Sequence, residues 1–167
     1  MIPFMRAYAI SRFCPVGAFF GAIGLALTSP AVAGETIKGP VEAVIERVVD
    51  GDTLSVRAHI WLGQDVRVMV RLSGIDAPEM RGKCDEERAL AVAATDYLKK
   101  FEGVQVVLSE ISNGKFAGRV LAVVRHPQEG DLGAALLAAG LARAYDGGRR
   151  SDWCADLIAQ VPSPVDG

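Results

Sequence analysis

The sequence predicts a β-rich α+β domain, a five-stranded OB-fold Greek-key barrel carrying three helices. Three observations lead there. Five short runs have the length and apolar patterning of strands, in the order β-β-β-α-β-β. One long amphipathic helix separates the third run from the fourth, and two shorter helical stretches follow the fifth. No internal repeat, low-complexity segment or interdomain linker divides the chain. Short strands in that number leave exposed edges unless the sheet closes on itself, and a small barrel closes it.

The 167 residues are one domain with appendages. Residues 1–33 read as a secretory signal peptide: Arg6 and Arg12, an apolar stretch Val16–Leu27 broken only by glycines, and a small-x-small end at Ala31-Val32-Ala33. The apolar part is short of the roughly 20 residues a membrane-spanning helix needs, so no membrane association is expected after cleavage. No lipobox-like motif precedes the cleavage point, which argues against lipid attachment. Residues 34–40 are expected to be a loose leader, 41–161 the folded domain and 162–167 a tail. The protein is thus expected to be exported, to the periplasm or beyond, and to be a monomer.

Val41–Val49 places apolar residues on both sides of a strand, which suggests that both faces are at least partly covered. Asp50-Gly51 is a hairpin signal, because both residues tolerate positive φ. Thr53–Ile60 turns Leu54, Val56 and Ala58 inward and Ser55, Arg57 and His59 outward; after a turn at Leu62–Asp65, Val66–Leu72 completes a three-stranded meander. Asp85–Phe101 is the clearest helix, with Asp85 as its expected cap, acids in its first turn, lysines in its last, and Gly103 as a left-handed stop. Leu90, Ala94, Tyr97, Leu98 and Phe101 form its apolar face. Strands at Val104–Ser109 and Arg119–Arg125 follow, with a turn at Asn113-Gly114 between them. A short helix at Leu132–Ala139 is stopped by Gly140, Leu141–Tyr145 is extended, and Ser151 is expected to cap a last helix running to about Val161.

Charge narrows the function. The whole chain carries 18 basic and 20 acidic residues; residues 1–33 hold two of the basic ones and no acidic one, so the mature chain has 16 against 20, a net charge of −4. An acidic protein lacks the broad positive field of a general nucleic-acid coat, so any polyanion must be held by a local cluster. Two cysteines, Cys84 and Cys154, remain after export, and an even number in an oxidising compartment reads as one disulfide, against two separate buried thiols. His59 and His126 stand alone and receive no role.

The chemistry gathers in Val70–Glu79, V-R-L-S-G-I-D-A-P-E. Arg71 closes an alternating run, and Asp76 and Glu79 follow three apart, kept off a helix by Ala77-Pro78. A guanidinium beside two carboxylates suits a metal ion and a phosphate, although a buried Arg–Asp pair stabilising a loop has the same signature. Three more pieces accompany it: Asp50-Gly51-Asp52-Thr53, Gly118-Arg119, and Gly140-Leu141-Ala142-Arg143-Ala144-Tyr145.

In this order and at these spacings the four pieces resemble the thermonuclease family, the staphylococcal-nuclease-like domains, over roughly Val41 to Ile158. The resemblance implies an OB-fold barrel and a calcium-dependent nuclease that cuts DNA and RNA with low sequence specificity. It further implies Asp52, Asp76 and the Ala77 carbonyl as calcium ligands, with Asp50 just outside the coordination shell. Arg71 and Arg119 correspond to phosphate-binding arginines, and Glu79 to the general base. Oxygen-only ligands suit calcium, and a planar guanidinium can hold two phosphate oxygens at once. The chain departs from the family in three ways. The loop after Glu79 is short, Ala117 replaces a tyrosine before Gly118-Arg119, and the net charge is acidic, which predicts weak substrate binding at physiological salt. Tyr145 is then the main aromatic candidate for stacking on a base, with a structural role as the alternative. The rival to a nuclease is a non-catalytic OB-fold module that binds nucleic acid or protein.

Overall fold

The computed structural model describes residues 34–159. The expected signal peptide and the 162–167 tail lie outside them. Nine strands and three helices form: β1 (Thr36–Ile37), β2 (Val41–Asp50), β3 (Thr53–Trp61), β4 (Gln64–Leu72), β5 (Ile75–Asp76), α1 (Asp85–Lys99), β6 (Gln105–Asn113), β7 (Arg119–His126), β8 (Gly130–Asp131), α2 (Leu132–Ala138), β9 (Arg143–Ala144) and α3 (Trp153–Ala159).

The five long strands close on themselves. β2, β3 and β4 form an antiparallel meander, β4 pairs parallel with β7, β7 antiparallel with β6, and β6 antiparallel with β2. This is the expected OB-fold barrel with three helices. Ile45, Leu54, Val56, Val70, Leu108 and Val124 fill its interior, and Leu98 of α1 with Leu132 and Leu136 of α2 join the same core. Each is almost fully buried, so truncating one such leucine costs about 2–5 kcal/mol.

Several local expectations need correction. Both faces of β2 are partly covered, with Val44 and Glu46 half-buried, but its mixed pattern also has a second cause. Register shifts between Ile45 and Arg47 and between Val48 and Asp50 switch the inward positions from Ala43 and Ile45 to Val48. Residues 34–40 are not a loose leader: β6 continues past Ser109, and its otherwise bare edge is met by β1, Thr36 opposite Ser112 and Ile37 opposite Ile111. The Asp50–Thr53 turn uses no positive φ. Gly51 is required there for space, since a Cβ would lie 2.9 Å from the Ala94 Cβ and 3.0 Å from that of Ala77.

The helix caps move by one residue. Cys84, held extended at φ −123° and ψ 164°, precedes α1, and Asp85 pairs with Arg88 instead of capping. The buried face of α1 runs through Glu87, Ala91, Ala94, Thr95 and Leu98, with Leu90 only half-buried. Asp152, not Ser151, caps α3, accepting from the backbone N–H of Cys154 (3.0 Å) and Ala155 (3.3 Å). Cys84 and Cys154 form a disulfide with Cα atoms 5.9 Å apart, tying the start of α1 to the first turn of α3.

Candidate active site

Strand parity sends both key arginines to one face. Along β4, Val70 and Leu72 point into the core, so Arg71 between them leaves the barrel. Along β7, Ala122 and Val124 are buried, so Arg119 and Leu121 leave it on the same side. The parallel register sets Met69 beside Arg119 and Arg71 beside Leu121, placing the two arginines diagonally on neighbouring strands. Both line a cleft of about 640 Å³, together with Asp52, Ala77, Glu79 and Tyr145.

Two buried carboxylates meet Arg71. Thr53 pairs with Arg71 across the β3–β4 ladder, which brings the preceding Asp52 to the guanidinium. Asp52 Oδ2 lies 2.6 Å from Arg71 Nη1, and Asp52 Oδ1 accepts from Thr53 Oγ1 at 2.8 Å. Asp50 Oδ1 accepts the Asp52 N–H at 3.1 Å and so fixes the turn. Asp76 is held in β5 by pairing with β9, Asp76 opposite Arg143 and Ile75 opposite Ala144. Its Oδ1 lies 3.5 Å from Arg71 Nη2 and 2.9 Å from Arg150 Nε, and its Oδ2 accepts from Trp153 Nε1 at 3.3 Å. Behind it, the Arg143 guanidinium stacks 3.5 Å from the Trp153 ring centroid and keeps the indole in place.

Glu79 stands at the mouth of the cleft, more than half exposed, and its Oε1 is ion-paired with Arg150 Nη1. The short loop beneath it is organised by Glu87. This nearly buried carboxylate accepts the N–H of Lys83 (3.0 Å) and of Glu79 (3.4 Å). Gly82 is obligatory because a Cβ there would overlap the Glu87 side chain. Tyr145 is half-buried on the cleft wall, its hydroxyl donating to the Gly148 carbonyl at 2.7 Å. Phe116, which also lines the cleft, lies under the Arg119 guanidinium at 4.9 Å.

Burial pushes the Asp52 carboxyl up to about 6; Arg71 offsets part of that cost, and the nearby Asp50 charge adds to it. Arg71 therefore undercompensates the burial of Asp52, and a further positive charge beside that carboxyl is favourable. The donors are all oxygen: Asp52 and Ala77, with its carbonyl, line the cleft, and Asp76 shares Arg71 with Asp52, a set that fits a hard divalent cation such as calcium. Among the described residues, Cys84, Glu87 and Cys154 are the one trio of Cys, His or acidic side chains clustered within 4.8 Å. Two of those sulfurs are bonded to each other, so that trio is no metal site.

The structure brings together Arg71, Arg119, Glu79, Asp52, Asp76, Ala77 and Tyr145. It adds three residues that sequence reasoning did not single out: Arg150, Trp153 and Glu87. Glu87 reads in the sequence as one of three acids favouring a helix N-terminus; its burial is a tertiary fact. Arg150 and Trp153 reach the site only because α3 folds back onto α1, and no local pattern announces that. The sequence profile of a protein family described as Staphylococcal nuclease homologue matches residues 69–159. No curated protein matches the chain.

Proposed function

We propose that this chain, which belongs to the staphylococcal nuclease homologue family, is an exported, calcium-dependent nuclease that hydrolyses phosphodiester bonds of DNA and RNA with low sequence specificity. The observation that carries the reading is the convergence of Arg71, Arg119, Glu79 and the buried Asp52 on one open cleft, with the buried Asp76 paired to the same Arg71. Five charged groups on four separate segments have no packing reason to meet there. The disulfide supports the export reading, since such bonds persist in oxidising compartments.

In this reading Asp52, Asp76 and the Ala77 carbonyl hold calcium, whose charge offsets that of the phosphoryl oxygens. Arg71, fixed by two carboxylates, is preorganised to donate toward a phosphate. Arg119 approaches from the neighbouring strand and grips the same group from a second direction, opposing the charge that grows in the transition state. Glu79 takes a proton from the attacking water once its carboxylate is turned from Arg150 toward the cleft. Tyr145 and Phe116, both lining the cleft, offer ring faces to unpaired bases, an arrangement that tolerates any sequence.

The test is digestion of single-stranded DNA and RNA by the purified mature protein with calcium, with zinc, and after chelation. Calcium-supported cleavage that chelation abolishes is expected, with zinc a poor substitute because it prefers nitrogen and sulfur donors. Undiminished cleavage after exhaustive chelation overturns the metal assignment. Binding without cleavage under every condition favours the non-catalytic module.

A further inference from the structure

We propose that Arg150 is a positioning residue of the cleft, a built-in counter-cation that holds Asp76 and Glu79 together and competes with the divalent cation for them. The proposal rests on the reading of Asp76 as a metal ligand and goes beyond it to a residue outside the motif segments.

The guanidinium of Arg150 contacts both acids at once. Its Nε lies 2.9 Å from Asp76 Oδ1, and its Nη1 is paired with Glu79 Oε1. With Trp153 Nε1 on Oδ2, both oxygens of Asp76 are engaged. A cation that ligates Asp76 through Oδ1 has to share that oxygen with Arg150 or displace it, and two positive charges on one oxygen repel. The same guanidinium holds Glu79 by Oε1 and restricts how that carboxylate can turn toward a water in the cleft. One movement of Arg150 therefore releases both the ligand and the base.

The segment carrying Arg150 is built to deliver it there. β9, pinned to β5 through Asp76 and Arg143, anchors one end. The Cys84–Cys154 disulfide anchors the other end, four residues beyond Arg150. Between them Gly147 takes φ +94°, a conformation side-chain-bearing residues rarely adopt, and Tyr145 and Asp146 each bond Gly148. The ends are fixed while the arginine itself stays partly exposed, at 41% of its side chain, against 6% for Asp76. It can therefore swing without disturbing the acid it leaves.

The experiment is calorimetric titration of calcium alone into chelator-treated mature protein, comparing wild type with Arg150→Met, Arg150→Lys and Arg149→Met. Arg149 is the adjacent arginine and makes no ion pair among the described residues. Arg150→Met is expected to bind calcium about tenfold more tightly, as when a competing state that holds nine-tenths of the population is removed. Arg150→Lys retains a charge and is expected to fall between wild type and Arg150→Met. Arg149→Met tests for a general field effect and is expected to change affinity by less than about twofold. Thermal melts add a second readout. Without calcium, Arg150→Met is expected to melt below wild type because Asp76 loses a partner, and saturating calcium is expected to close that gap. Equal calcium affinities for wild type and Arg150→Met overturn the proposal and leave the metal site standing. Equal tightening in Arg149→Met reduces the effect to net charge and also overturns it. Absence of calcium binding in every protein overturns the metal reading along with it.

Discussion

Two arginine–aspartate pairs sit at opposite ends of the β3–β4 ladder, nearly equal in length and opposite in consequence. Arg71–Asp52 closes at 2.6 Å with its side chains 12% and 5% exposed; Arg57–Asp65 closes at 2.7 Å with 43% and 35% exposed. Burial raises the Asp52 carboxyl to about 6 in spite of its arginine. Hydrogen bonds from His59 and then Arg57 hold the Asp65 carboxyl below its ordinary value, because water still solvates it. The same chemical pair is thus frustrated at the cleft and satisfied at the hairpin tip. Distance does not separate a site from a surface ion pair here; the desolvation of the acid does.

The largest expected effect is at the buried pair. Arg71→Ala leaves Asp52 and Asp76 without their shared guanidinium, and breaking a buried pair costs about 3–5 kcal/mol. Turnover is expected to fall on the order of 10²–10⁴-fold, as for other losses of preorganised charge. Arg119→Ala, whose arginine holds no buried acid, is expected to lose a similar factor in turnover while changing stability by less than about 1 kcal/mol. Urea denaturation beside a single-turnover assay checks both. A stable, active Arg71→Ala protein would show that burial at this end has no functional meaning.

The two ends were not equally legible in the sequence. The outward Arg57 and His59 follow from simple alternation along β3, and Arg71 follows from the motif that ends β4. The meander and α1 were likewise within reach of periodicity, whereas the parallel pairing of β4 with β7 was not, since periodicity says nothing of a strand's partner. The parity switch in β2 was not, because a bulge depends on which neighbour the strand pairs with. Nor was the pairing of β1, which exists only because β6 runs on past Ser109. At the site, Arg71, Arg119, Glu79, Asp52, Ala77 and Tyr145 line the cleft and Asp76 pairs with Arg71, yet Arg150 and Trp153 were invisible. They belong to a segment whose place is set by the disulfide and by the β5–β9 pairing, both long-range contacts.

The disulfide sharpens the contrast, since it cross-links only the cleft end. Closing a 70-residue separation stabilises by roughly 4 kcal/mol in the chain-entropy model. Reduction is expected to lower the melting temperature. It is also expected to raise hydrogen exchange first in residues 79–88 and 150–157, with the 57–67 hairpin unchanged at early times. Uniform loss of protection along the chain would mean that the bond supports the whole barrel and not the cleft.

pH separates the pairs by sign. In the chelated protein the folded-state value of Asp52 lies above its ordinary 3.8, so the folded state binds the extra proton. Its contribution is fully present below about 4 and is lost as pH rises through about 6, on the order of 2 kcal/mol. Urea denaturation between pH 4 and 7 in chelator should show that decline, and Asp52→Asn should flatten it. Saturating calcium should reverse it, since the cation needs the ionised acid. Asp65 runs the other way: its contribution is present above its ordinary 3.8 and is lost as pH falls through its lowered folded value.

The smallest effect belongs to the exposed pair, and it is the most informative control. Arg57 shares its carboxylate with His59, and Glu46 lies 3.4 Å from its Nε, so losing it leaves Asp65 with a partner and with water. Exposed ion pairs of this kind are screened by salt, and the energy of ordering two long side chains offsets much of their attraction. Arg57→Ala is expected to keep the melting temperature within about 2 °C of wild type, as for surface substitutions generally. Cleavage of single-stranded DNA should be unchanged, because Arg57 lies at the far end of the ladder from the cleft. Raising the salt from 0.05 to about 0.5 M, which shortens the screening length severalfold, should erase what difference remains. A large loss of activity in Arg57→Ala would place a substrate contact on the hairpin end. The division between a frustrated, functional end and a satisfied, structural end would then fail.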